Sequence, residues 1–423
     1  MVRPTVYRFK ATWGEGAVSG MGHWHIVLIG VIVNLHIGLF NTWSLFEKAL
    51  VYEHGWSNHT ASLPYGAGLA VYAVAMLFAG ILQRRLGSPN MMLISGLSFA
   101  VGLFGASISQ VMWTMTVFFG GFVGIGIAFA YMGMLNTIMT QIPAKYRGVS
   151  SGLLLSAFAL SSASLSSIVS SAISANGVHY AFRVLALIIS PVIILAAFFL
   201  KRMIARDHVE MQDRGEKAVR FHFTSLFRSD VFWSIFFIYF AGTLAGVQLT
   251  GHITHIALLQ ASMVNVTALV SGYAMANCGG RLITGFVLDR MPHTVFLMGI
   301  FAIDAVNMLL FSTYQAGLSI FVGLFVAGVT NGSVMVTGPQ LIVKNFNGAH
   351  FSSIMGIVSL ASGIAGVLGP PMYGAVVDAM GDYEMAYLIG AVLLFAACAV
   401  AARMHVIQKR EQVDSSVCFA KGD

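Results

Sequence analysis

Charge is scarce in this sequence. Only 9% of its 423 residues are Asp, Glu, Lys or Arg, while 57% are hydrophobic. A soluble chain of this size carries about 25% charged residues to cover its surface. The shortage excludes a water-soluble globular domain, because lipid has to solvate much of the apolar surface. Cysteine is nearly absent: Cys278, Cys398 and Cys418 show no paired spacing, so they fix no redox compartment and mark no metal site. No HExxH or CxxC pattern, ATP-binding motif or cluster of nucleophiles occurs. An enzyme would lack its chemistry here; none is expected, and no cofactor or metal. No cleavable signal peptide is expected, since the first apolar run is too long for an h-region and no small-residue cleavage site follows it.

What the sequence has is long apolar runs. A helix needs about 20 residues to span a ~30 Å hydrocarbon core, and only helices and closed barrels satisfy their backbone in lipid. The runs are continuous rather than alternating, so the expected fold class is an all-α membrane protein of twelve transmembrane helices. The spans fall at roughly 24–46, 61–82, 90–109, 113–140, 149–174, 180–200, 231–258, 266–288, 294–313, 317–343, 352–378 and 385–404.

The net charge of +7 is an orientation signal. Of the twenty-three Lys and Arg residues, all but Lys48, Arg183 and Arg281 fall in the tails, in loops after even-numbered spans or, for Arg403, at the C-tail end of the last span. That bias places both termini in the cytoplasm of a cell (inner) membrane. The basic residues form no single face, so nucleic acid is not an expected partner. The longest polar stretch, Lys201 to Asp230, is mixed in sign and reads as a solvated linker. The expected organisation is an N-tail (1–22), an N-terminal six-helix bundle (23–200), a cytoplasmic linker (201–230), a C-terminal six-helix bundle (231–404) and a C-tail (405–423).

The two halves echo each other. Gly80 to Arg85 closes the second span and Gly285 to Arg290 the eighth, 205 positions apart; Ser151-Gly152 and Met355-Gly356 are 204 apart. Two landmarks at nearly one offset indicate a duplicated six-helix unit. Parallel repeats of this kind hold substrate between the halves near the bilayer midplane. Small residues crowd the fourth span (Gly120, Gly121, Gly124, Gly126), the fifth (Ser161 to Ser171) and the eleventh (Gly363 to Gly374, with Pro370-Pro371). They let helix backbones approach closely, and in the fifth and eleventh spans they offer smooth surfaces for sliding.

These residues resemble the major facilitator superfamily, whose loop motif reads roughly G-x-x-x-D-[RK]-x-G. Gly285, Asp289 and Arg290 match its second copy. In the first copy Gly80, Arg85 and Gly87 match, but Arg84 stands where an acid is usual. Within the superfamily the chain looks like the monocarboxylate transporter and oxalate–formate exchanger group. The similar stretches are Gly38 to Phe46 with Gly55-Trp56-Ser57, Tyr131 to Gly148, and Asn277-x-x-x-Arg281-x-x-x-Gly285-x-x-x-Asp289.

Arg281 is the strongest single signal. A guanidinium eight residues inside the span costs at least ~2.5 kcal/mol on insertion scales, and its planar fork matches a carboxylate. The resemblance implies that it binds the substrate carboxylate; the bland alternative is an arginine paired with an acidic side chain to hold helices together. Asn277 lies one turn away, where the resemblance places an acid in animal relatives; it cannot titrate, and it orients the arginine, bonds substrate or makes an ordinary helix–helix hydrogen bond. Tyr131 matches an aromatic of the exchanger's cavity. The exchanger's second cation, on the eleventh helix, aligns with Ser362, and its aromatics on the tenth with Asn331 and Met335. A single fixed cation suits a single carboxylate. His252, His36 and the intramembrane Asp304 are candidates for a coupling proton or substrate contact; each has an ordinary structural alternative.

The function expected is secondary active transport of a small monocarboxylate such as lactate or pyruvate, with a proton, by alternating access. The partners are that carboxylate, the proton and the bilayer. Two alternatives stay open: a proton-independent anion exchanger of the oxalate/formate type, and a membrane sensor that binds substrate without moving it.

Overall fold

The computed structural model describes residues 20–420, except 57, 212–225, 251, 263–266 and 347–349. Most of the expected N-tail and the middle of the linker lie outside the described residues. Among those residues twelve helices follow one another. α1 comprises Gly20–Ile37, a 3-10 turn at Leu39–Thr42 and Trp43–His54. α2 (58–86) and α3 (88–106) are the arms of Asn58–Ala106. α4 (112–141) contains the π-helical Thr116–Val123. α5 (144–175) and α6 (178–211) are the arms of Ala144–Met211. α7 comprises Asp230–Thr250 and Ile253–Ala261. α8 is Thr267–Leu288, α9 His293–Phe311, α10 Gly317–Asn345, α11 Phe351–Met380 and α12 Glu384–Ala420.

The breaks have local causes. Gly87, at φ 72°, takes a conformation that costs a residue without Cβ little, and Pro89 follows in the first turn of α3, where an N–H is dispensable. Gly177 turns at φ 81°, and the Glu53 carboxylate accepts the Val178 N–H at 2.9 and 3.1 Å, capping α6.

Seven helices are long and apolar enough to cross a membrane, and two shorter apolar ones lie in α1 and α11. Two of the seven, Leu63–Ala106 and Ala144–Ile204, run 44 and 61 residues. At 1.5 Å per residue each spans a bilayer twice, once out and once back across its break. α8, with Arg281 inside it, completes the twelve. Large apolar side chains such as Leu28, Val101, Leu187, Phe198 and Ile303 face outward, whereas Asn34, Ser95, Gln248, Asn277, Asp304 and Asn331 are buried. That distribution suits a lipid solvent.

The helices form two six-helix bundles, α1–α6 and α7–α12, that meet where α5 packs on α8 and α2 on α11. Both contacts run through the glycines of the sequence repeat. A Cβ on Gly285 would lie 2.6 Å from Gly148 O and 3.1 Å from Gly152 Cα. A Cβ on Gly356 would lie 2.9 Å from Met76 O and 3.4 Å from Gly80 Cα. Gly80 with Gly356 and Gly285 with Gly152 are thus the same crossing, repeated by the offset of about two hundred residues. Missing side chains set the backbone separation at both.

Candidate functional site

Because twelve is even, α1 starts and α12 ends on one face, which also carries the ends of α2 and α8. On this face Asp289, just past α8, reaches the opposite half. Its carboxylate accepts the backbone N–H groups of Gly148 and Val149, at 2.9 and 3.0 Å. Gly148 leaves room for it: a Cβ there would strike Asp289 Oδ1. The carboxylate also meets the positive end of the α5 dipole. The equivalent place in the other crossing holds Arg84. Among the described residues no carboxylate caps α11 there; instead Ser353 Oγ donates to Gly80 O at 3.3 Å, and Ser352 Oγ donates to Asn136 Oδ1 of α4. Arg84 acts electrostatically on His350, the buried residue at the start of α11. Burial and this neighbouring cation hold the His350 imidazole below its ordinary pKa. The two crossings match in backbone and differ in charge.

Deeper along the seam, Ser156 Oγ donates to Cys278 O at 3.2 Å and Gln340 Nε2 to Ser151 Oγ at 3.0 Å. Arg281 Nη1 donates to Leu155 O, across the halves, at 2.5 Å. Arg281 Nε is buried and has no partner. Among the described residues the one ion pair joins Asp230 and Arg403 on the surface, so Arg281 is not neutralised by an acid. The bland expectation of an arginine gluing helices through an acidic neighbour is not what the structure shows. Tyr131, Tyr239, Tyr273 and Tyr72 lie within Coulombic reach of the guanidinium. They come from α4, α7, α8 and α2, so phenols from both halves bear on one cation.

The predicted residues distribute as follows. Tyr131 is buried, edge-on to Phe158 at 5.7 Å between centroids, in the same group as Arg281. Asn277 donates to Asn331 Oδ1 at 2.8 Å, and Asn331 Nδ2 to Thr243 O at 3.4 Å. Ser362 lies beside the Tyr239 phenol, whose hydroxyl donates to Met335 Sδ at 3.3 Å. The position aligned with the exchanger's second cation therefore reaches the group and brings a hydroxyl to it. His36 Nδ1 is tied to Ile32 O of its own helix at 2.7 Å, and His252 Nδ1 to Tyr383 OH at 3.1 Å. Asp304 lies inside the C-terminal bundle, 1% exposed. Gly285, Asp289 and Arg290 follow Arg281 toward the terminus-bearing face, where the Asp289 bonds to Gly148 and Val149 form a latch between the halves. Sequence reasoning missed Tyr72, Tyr239 and Tyr273. Tyr273 was open to it, because 273, 277 and 281 repeat at four-residue spacing on one face. A cavity of ≈ 360 Å³ lies elsewhere, lined by Gln83, Ser88, Asn136 and Lys201.

Twelve helices in two bundles, joined by repeated glycine crossings around an internal cation, define a membrane transporter built from two equivalent halves. The chain belongs to the Major Facilitator Superfamily, whose family profile matches residues 28–332 and 252–416. It is similar to the uncharacterized MFS-type transporter YhjX of Escherichia coli K12, 22% identical over 81% of this chain and 85% of that protein. It is similar to the oxalate:formate antiporter of Oxalobacter formigenes, 23% identical over 89% of this chain and 90% of that protein. It also resembles rat monocarboxylate transporter 13, 25% identical over 31% of each chain. Among solved structures, the MFS transporter FucP in the outward conformation superposes with a TM-score of 0.70 at 15% identity, over 90% of this chain and 99% of that one.

Proposed function

We propose that this transporter carries a small monocarboxylate, of the lactate or pyruvate kind, together with a proton. The observation that carries the proposal is Arg281: a guanidinium between the halves, bonded once to Leu155 O, with a buried Nε left over and no acid beside it. A carboxylate placed there supplies the missing charge and two parallel acceptors. Tyr131 donates to the same anion, and Asn277, held by Asn331, fixes the face of α8 that presents the arginine. Ser362 in place of a second cation favours one carboxylate over two, since a second would be buried without compensation.

Alternating access follows from the two crossings. With the latch at Asp289 closed, the face carrying the termini is sealed, and release there requires α5–α8 and α2–α11 to part. We assign that face, with both termini and the 201–230 linker, to the cytoplasm of a cell (inner) membrane, from the Lys and Arg bias. In the proposed domain plan the halves are 23–200 and 231–404. His36, His252 and Asp304 are the candidates for the coupling proton. The likeness to an oxalate:formate antiporter supports a second reading, anion exchange without a proton.

A thermal-shift panel on purified protein tests the substrate class, with ligands at millimolar levels because stabilisation grows as RT ln(1 + [L]/Kd). Monocarboxylates are expected to stabilise more than oxalate or malonate, and Ser362→Lys to reverse the order. Equal or stronger stabilisation of the parent by dicarboxylates overturns the single-cation argument.

A further inference from the structure

Asp304 is the one buried acidic side chain among the described residues. Its surroundings are built. Asn307 Nδ2 donates to Asp304 Oδ1 at 3.1 Å and to Gly323 O of α10 at 3.1 Å, while Tyr314 OH donates to Asn307 Oδ1 at 3.3 Å. Thr330 of α10 stands beside the carboxyl, with its hydroxyl donating to Val326 O at 3.2 Å. Asp304 Oδ2 has no partner. No cation pairs with it, the one ion pair of the described residues being Asp230–Arg403. The titratable groups facing it are the phenols of Tyr273 from α8 and Tyr373 from α11. An acid kept this deep without a counterion is costly unless it can carry a proton.

Two paths leave this site. One leads to Arg281. Thr330 is followed by Asn331, which accepts the Asn277 amide at 2.8 Å, and Asn277 stands one turn from Arg281 on α8. Tyr273, one turn before Asn277, lies within Coulombic reach of both Asp304 and Arg281. The other path leads to the face opposite the termini. The Tyr373 ring is 6.0 Å from His252. The Tyr373 hydroxyl and both amide atoms of buried Gln248 lack protein partners. Gly390 leaves the space that they share: a Cβ there would lie 2.7 Å from Gln248 Nε2 and 3.6 Å from Tyr373 Oη. Buried donors and acceptors of this kind are where ordered water sits.

We propose that Asp304 is the coupling-proton site of this transporter, reached by water past Tyr373 and Gln248 and linked to Arg281 through Thr330–Asn331 and Asn277. This deepens the functional reading above and rests on it for the role of Arg281. Protonated, Asp304 is neutral and leaves the guanidinium to the substrate anion. Deprotonated, it adds a second negative charge that competes for the same cation. One anion on Arg281 and one proton on Asp304 therefore load together and cross without net charge. The proton comes from water on one side and returns to water on the other.

The test uses proteoliposomes of the full chain, with an entrapped pH dye and a labelled monocarboxylate. Two rates are read: net uptake driven by a pH gradient, and exchange against internal unlabelled acid, which needs no net proton. In Asp304→Asn the ratio of net uptake to exchange is expected to fall at least ~10-fold, and the pH profile of binding to flatten. Thr330→Val, which keeps the carboxyl, is expected to shift the pH midpoint of binding, so the proposal stays testable should the Asn variant misfold. An unchanged ratio in Asp304→Asn overturns it, as does an unmoved midpoint in Thr330→Val. Uptake by the parent that needs sodium rather than a pH gradient also overturns it. If the parent exchanges acids without moving protons, both this proposal and the proton-coupled reading fail. If the parent moves protons and Asp304→Asn does so equally, only Asp304 is wrong.

Discussion

Gly285→Ala adds one carbon at the crossing of α5 and α8. Its Cβ would lie 2.6 Å from Gly148 O and 3.1 Å from Gly152 Cα. Both are backbone atoms, so no rotamer change relieves the clash, and ordinary contact begins near ~3.5 Å. The helices have to part by most of an ångström. The bonds from Gly148 N and Val149 N to Asp289, now 2.9 and 3.0 Å, then stretch beyond useful length. Bonds to a charged group contribute about 1.5–3 kcal/mol each, and water replaces part of that at the half-exposed Asp289. A net loss of about 1–3 kcal/mol from the closed state remains, a shift of roughly five- to 150-fold toward opening. Ala also stabilises a helix over Gly by about 1 kcal/mol, which the control removes: Gly279→Ala lies in the same helix, where a Cβ meets nothing within 4 Å. Spin labels at Lys201 and Lys409, exposed on the terminus-bearing side of each half, report the separation. Gly285→Ala is expected to populate a longer distance and Gly279→Ala to match the parent. Identical distance distributions for the two alanine variants would refute the claim that this glycine crossing sets the closed state.

The other crossing gives a pH prediction. His350 is held below its ordinary value of 6.5 by burial and by Arg84, so the closed state prefers the neutral ring. Acidifying the terminus-bearing side below about pH 6.5 charges the ring once it is exposed, so closed-state stability is kept above that pH and lost as the pH falls. The same spin-label pair should lengthen at pH 5.5, and His350→Gln should abolish the change; a response that survives the substitution assigns it elsewhere. For topology, a cysteine at position 215 in sealed cells should resist impermeant reagents, and ready labelling from outside would reverse the orientation.

The twelve spans were legible because apolar length is a property of single segments. The repeat was also legible, since Gly80, Gly152, Gly285 and Gly356 keep their offset whatever the helices do. What they touch was not: only the fold shows that Gly80 meets Gly356 and Gly152 meets Gly285. Arg281 announced itself by its depth. Tyr72 and Tyr239 did not, because a tyrosine in a span is ordinary and their convergence on one cation is a tertiary fact. The break of α1 after Ile37 and the π-helical segment of α4 were equally hidden inside runs that read as plain helix. Asp304 was visible as an acid in a span, but whether it faced lipid, partner or cavity depended on Asn307, Gly323 and Thr330 arriving around it.

The central claim is that Arg281 holds the substrate carboxylate, and the direct measurement is binding and proteoliposome uptake for the parent, Arg281→Lys and Arg281→Ala, each checked for monodispersity in detergent. Lysine keeps the charge but loses the fork. It is expected to weaken binding by about 1.5–3 kcal/mol, or roughly tenfold to a hundredfold. Alanine is expected to abolish uptake while the protein stays monodisperse, since a buried cation without an acidic partner is not needed to hold the bundles together. Monodisperse Lys and Ala variants that bind and transport like the parent would contradict the account and leave Arg281 with only its bond to Leu155.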